Sequence, residues 1–113
     1  NKGVLDPRVT TAPSATSITP NADTTDIVVQ VNSLGAGTLT LNAPSGSPAN
    51  GQRLIFRLTT TNSQTLSFNS IYQGSTDLAL PSSMSAATTN YLGFMYNSTA
   101  LKWQLVAKVF GFA

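Results

Sequence analysis

In segment after segment from Asp26 onward, apolar side chains recur at every second position, and that period specifies strands rather than helices. Ile27, Val29 and Val31 alternate with Val28, Gln30 and Asn32, and Leu39 and Leu41 with Thr38, Thr40 and Asn42. Leu54, Phe56 and Leu58 share one face of Arg53–Thr59, while Arg53, Ile55 and Arg57 share the other. Leu66 and Phe68 stand among Thr65, Ser67 and Asn69. Leu101, Trp103, Leu105, Ala107 and Val109 alternate with Lys102, Gln104, Val106, Lys108 and Phe110. The β-branched and aromatic content suits a pleated, half-buried surface. Only Ser82–Thr89 has room for a helical turn, and its Ser and Thr content argues against more.

Short turn-forming stretches separate these segments: Leu34–Gly37, Ala43–Gly51, Thr61–Ser63 and Tyr96–Ser98. Many short strands at this spacing predict one all-β domain, an antiparallel β-sandwich or jelly-roll-like barrel over residues 21–113. Pro7, Pro13 and Pro20 bar a helix from residues 1–20, which read as an extended N-terminal arm or linker. No internal repeat is visible. At 113 residues and 41% hydrophobic content the chain can fill a single core.

The residue inventory excludes most chemistry. Charged residues make up 9% of the chain, against about a quarter in an average domain. Ser, Thr and Asn take their place, so the polar surface is mostly hydroxyl and amide. The net charge of +2 comes from six scattered cations with no basic run, which argues against a nucleic-acid partner. No stretch approaches the ~20 apolar residues of a membrane span, and no secretory signal pattern opens the chain. His, Glu and Cys are absent, so neither a Ser-His-Asp or Cys-His catalytic site nor a thiolate or imidazole metal site can be assembled. No enzyme and no cofactor is expected. The absence of Cys suits assembly in a reducing cytoplasm. Asp23 and Asp26, in Asn21–Asp26, have the oxygen density to hold Ca²⁺, but their spacing matches no calcium loop and reads as a side-chain-capped turn.

The remaining candidates are for binding. Tyr72, beside a Gln-Gly turn, is the aromatic expected to be exposed. With Gln73 and Asn69 it forms one loop site for a ligand, and Asn97 with Ser98 forms another. Trp103, sharing a face with Leu101 and Leu105, belongs to the core. The triplet Asn97–Thr99 fits a glycosylation acceptor, but such triplets arise by chance in a chain this rich in Asn, Ser and Thr. Tyr91–Tyr96 is apolar on both faces, and Arg53, Ile55 and Arg57 form a mixed row. That surplus, together with Tyr96, predicts a subunit interface.

Several stretches resemble structural domains of bacteriophage virion appendages. They are Gly3–Val9, Pro13-Ser14, Thr19–Asp23, Pro44–Pro48, Gly51–Arg57, Leu66–Phe68 with Ile71-Tyr72, Leu80-Pro81, Tyr91–Asn97 and Lys102-Trp103. The resemblance implies a β-rich homotrimer at the virion surface, in a tail fibre, head fibre or capsid decoration, assembled in the host cytoplasm. Its partners would be its own copies, other virion proteins through the arm, and a host-surface polysaccharide. Thr59–Ser63 replaces a charged turn seen in that family, and Gln104 replaces a carboxylate after the Trp. The alternative is a carbohydrate-binding module attached to a hydrolase.

Overall fold

The structure is a computed structural model and describes residues 7–113. Ten strands follow one another: β1 (Val9–Ala12), β2 (Ser17–Ile18), β3 (Ile27–Asn32), β4 (Gly37–Leu41), β5 (Arg53–Thr60), β6 (Gln64–Phe68), β7 (Tyr72–Gln73), β8 (Ser83–Met84), β9 (Thr88–Asn97) and β10 (Lys102–Phe112). No helix occurs among the described residues.

The chain passes back and forth between two sheets. A six-stranded sheet has the order β1-β3-β5-β9-β10-β7, and a four-stranded sheet the order β2-β4-β6-β8. β1, β3 and β5 are parallel neighbours, and so are β2, β4 and β6. β1 with β2, β3 with β4, and β5 with β6 each make one coil, and successive coils stack in register, giving a β-solenoid of about three turns. The last coil is closed by antiparallel strands, β8 on β6 and the β9–β10 hairpin on β5.

This overturns the antiparallel sandwich or jelly roll expected from the sequence. Period-two alternation is the same in parallel and antiparallel strands. The turn at Leu34–Gly37 is a corner that carries the chain from one sheet to the other, not the tip of a hairpin. Parallel pairing needs a crossover of a dozen or more residues, and here the opposite sheet supplies it. The described part of the expected arm is the first coil: Val9–Ala12 pairs with β3, and Ser17–Ile18 with β4. Asn1–Asp6 lie outside the described residues.

Buried amides explain how the corners hold. Gln30 Nε2 donates to Pro13 O at 2.9 Å, and Asn32 Nδ2 to Ala15 O at 3.1 Å, gripping the corner of the coil before. One coil later, Asn62 Nδ2 donates to Leu34 O at 2.9 Å and Gln64 Nε2 to Gly35 O at 3.0 Å. These bonds satisfy carbonyls that a sharp corner takes out of the sheet ladder. They account for Gln30, Asn32 and Gln64 being buried in otherwise apolar strands.

Between the sheets lies one core. Leu39, Leu41 and Leu66 come from the four-stranded sheet, and Leu54, Leu58, Leu92 and Trp103 from the six-stranded one. Phe56, Phe68, Tyr72 and Phe94 form an aromatic group inside it, with ring centroids 5.0–6.4 Å apart. Side chains of this kind contribute about 1.5–3 kcal/mol each when fully buried. Trp103 is buried as its strand face predicts, whereas Leu101 sits in the β9–β10 turn with φ +57° and is exposed.

Candidate functional site

The residues expected to form ligand loops are dispersed by the fold. Tyr72 is 3% exposed, not exposed as expected. Its ring belongs to the aromatic group, its hydroxyl donates to Asn42 O at 2.8 Å, and burial raises the phenol pKa. As the first residue of a strand paired with β10, it points inward instead of lying on a loop. Asn69 follows β6, its Oδ1 accepting from Ile71 N at 3.0 Å, and stays exposed. Asn97 uses its Oδ1 to accept from Thr99 N and Ala100 N at 3.0 and 3.1 Å. Ser98 N donates to Asn50 Oδ1 at 3.0 Å. Gln104 joins two of the candidates: it donates to Gln73 Oε1 at 2.9 Å and accepts from Asn97 Nδ2 at 3.3 Å. Gln73 and Asn97 thus share an amide chain on the six-stranded sheet, while Asn69 lies at the end of the other sheet.

Asn21–Asp26 is a hydrogen-bonded turn. Asp23 Oδ1 accepts from Ser47 N at 2.9 Å, and the Asp23 N–H donates to Asn21 Oδ1 at 3.0 Å. Asp26 accepts from the Nη2, backbone N and Nε of Arg8 at 2.9, 2.9 and 3.2 Å. The Arg8 hydrogen bonds hold the Asp26 carboxyl below the ordinary carboxylate range. No group of three or more acidic residues that could hold a metal occurs among the described residues.

The two outer faces of the solenoid are chemically opposite. On the six-stranded sheet the register sets Val29, Arg57, Tyr91 and Val109 side by side in one row, and Ile27, Ile55, Gly93 and Ala107 in the next. A third row holds Val31, Thr59, Thr89 and Phe112. Tyr91 and Phe112 meet edge to face at 5.6 Å. A shallow recess of about 200 Å³ opens between Ile55, Tyr91, Gly93, Ala107 and Val109. Arg53 and Arg57 are exposed on this face with Ile55 half-buried between them. Tyr96 is not on it: that ring is buried 5.0 Å from Trp103.

On the four-stranded sheet the outward positions carry hydroxyls. Ser17, Thr40 and Ser67 form one row across β2, β4 and β6, and Thr38, Thr65 and Ser83 form another across β4, β6 and β8. The inward neighbours Ile18, Leu39, Leu41, Leu66 and Met84 are all buried. An open groove of about 520 Å³ runs along one end, lined by Thr38, Ser63, Gln64, Thr65, Ser83 and Ser85. Sequence reasoning registered Thr38, Thr40, Thr65 and Ser67 only as the polar halves of two strands. The signal was there, a T-x-T followed by a T-x-S, but it becomes a surface only once β4 and β6 stack in parallel.

No protein-family model matches this chain, and no curated protein does. Among solved structures, a chain described as "Structure of a chaperone-substrate complex" is similar, with a TM-score of 0.52 at 16% identity. The match covers 87% of this chain and 17% of that one, and at this identity the likeness is one of fold alone.

Proposed function

We propose that this chain is a structural domain of a bacteriophage virion appendage, a tail fibre, head fibre or capsid decoration. It assembles as a homotrimer through the outer face of its six-stranded sheet and works by presenting surfaces, not by catalysis. The virion assignment and the number three rest on the sequence resemblance. Assembly rests on one observation, the contiguous apolar outer face in which Val31, Val109 and Phe112 are each more than half exposed. Singly exposed apolar residues are ordinary, but a contiguous set marks an interaction surface. The recess beside Gly93 is shaped to take an apolar side chain from a neighbouring copy, Arg53 stands at the edge of the face, and Arg57 lies within it between Val29 and Tyr91.

Light scattering at micromolar concentration should give three times the 11.8 kDa chain mass. An interface of this kind buries on the order of 1,000 Å² or more. Val31→Asp with Val109→Asp, both outside the core, should yield a folded monomer. A monomeric wild-type chain, or a trimer that survives both substitutions, overturns the assembly. An antibody to the chain that fails to label phage particles in negative stain overturns the virion assignment.

A further inference from the structure

We propose that the outer face of the four-stranded sheet is a docking surface for a neutral polysaccharide. The face is a regular array. Strands in register lie about 4.8 Å apart, and outward side chains recur about every 6.6 Å along each strand. Ser17, Thr40 and Ser67, with Thr38, Thr65 and Ser83, therefore place six hydroxyls on a two-dimensional grid. Among the described residues, none of these six hydroxyls is hydrogen-bonded to another side chain. On the six-stranded sheet the outward hydroxyls of Thr59 and Thr89 are paired with each other at 2.9 Å.

The charge pattern selects the partner. β2, β4, β6 and β8 contain no charged residue at all. A phosphate-bearing polymer, an anionic lipid surface or an acidic polysaccharide finds nothing there to neutralise it. A hydroxyl both donates and accepts, so a grid of hydroxyls matches a partner that presents hydroxyls at repeated intervals. The adjoining groove is open, so the partner is an extended chain lying along the sheet rather than an enclosed monosaccharide. A second copy of this chain is the weaker fit, because two such faces bring together hydrated hydroxyls with little apolar area to remove from water. The apolar face lies on the other sheet.

Each hydroxyl contact contributes little, because it replaces one already made to water. Binding by a single domain is therefore weak, and repetition along the polymer supplies avidity.

The test uses the full chain and four neutral hexasaccharides as probes: maltohexaose, cellohexaose, laminarihexaose and mannohexaose. NMR shifts on titration should appear in β4 and β6 with at least one probe. They should be unchanged between about 0.05 and about 0.5 M salt, because no ion pair is involved. Thr38→Val with Thr65→Val keeps β-branching and removes two hydroxyls, so the melting temperature should hold while binding weakens about tenfold. The absence of shifts with all four probes, or shifts confined to Gln73 and Asn97, overturns the proposal. So does salt-sensitive binding to alginate at this face, or a self-association that the double variant abolishes. The surface does not depend on the trimer: a monomer that shifts in β4 and β6 supports the polysaccharide face and refutes the assembly.

Discussion

Replacing Trp103 by Ala tests the centre of the fold. Trp103 is 1% exposed, and its ring lies 5.0 Å from that of Tyr96. An indole buried this fully removes about 250 Å² from water, which at about 25 cal/mol per Å² sets a ceiling of about 6 kcal/mol. The Cβ that Ala retains, and the partial burial present in any unfolded chain, lower that figure. Large-to-small aromatic changes in packed cores cost about 3–5 kcal/mol. The main-chain bond from Trp103 N to Ile71 O, 2.8 Å long, survives the substitution, so the loss is one of packing alone. In a domain of this size about 4 kcal/mol lowers the melting temperature by about 15–30 °C. It also removes a large part of a total stability of about 5–15 kcal/mol. Trp103 is the only tryptophan, so unfolding must be followed by circular dichroism, in heat and in urea. Leu101→Ala, at a site 65% exposed, serves as the control and should change stability by less than about 0.5 kcal/mol. A loss below about 1 kcal/mol for Trp103→Ala, with an unchanged urea slope, would refute the packing described here.

Two further outcomes follow from local geometry. Leu101 holds φ +57° in the β9–β10 turn while burying little, so Leu101→Gly should raise stability by about 1 kcal/mol in urea unfolding; a loss would show that its side chain packs. Asp26 has its carboxyl pKa depressed below 3.8 by Arg8, so the pair stabilises the fold above about pH 4 and that contribution is lost as pH falls through the folded value. Asp26→Asn should lower stability slightly at neutral pH and flatten the acid limb of the stability curve. The effect should shrink in salt because the pair is exposed. An acid limb of unchanged slope in the variant would remove Arg8 as the cause.

The strands were legible in the sequence because burial on one face writes itself as alternation. Leu54, Phe56 and Leu58 are all buried while Arg53 and Arg57 are exposed, as their spacing predicts. Coil stacking was not legible, because its period is irregular. Ile27 pairs with Val9, 18 residues back, yet Ile55 pairs with Ile27, 28 residues back. The intervening Ala43–Gly51 loop lengthens the second coil and hides the repeat. Gln73 and Gly74 look like a turn, yet a two-residue strand beside β10 turns the Tyr72 ring inward. The row Arg53, Ile55 and Arg57 was correctly placed on one face. Tyr96 was not, since strand parity puts it with Phe94 and Leu92 on the inner side. Pro13 and Pro20 suggested an arm, yet they stand outside β1 and β2, where a proline costs no ladder bond.

Stacking in register is what gives this fold its sidedness. An outward residue at one level of a coil stands beside its counterparts above and below, so a bias carried by two or three short segments becomes a continuous surface. Valine and isoleucine in β3 and β5, extended by Tyr91, Val109 and Phe112, make the apolar face. Threonine and serine in β4 and β6 make the hydroxyl one. Neither face shares side chains with the core, and surface substitutions away from special features usually change stability by less than about 0.5 kcal/mol. The two faces can therefore vary independently of the fold and of each other. At one end the coil pattern stops: β8 and β9 run antiparallel to the coil strands they pair with, β10 folds back along β9, and the two-residue β7 covers part of its outer edge. At the other end β1 and β2 are only four and two residues long, and short edges of this kind discourage end-to-end pairing. Because the faces lie on opposite sides of one core, the trimer proposed above turns its hydroxyl sheets outward, so that three copies of the proposed docking surface act together along one polymer.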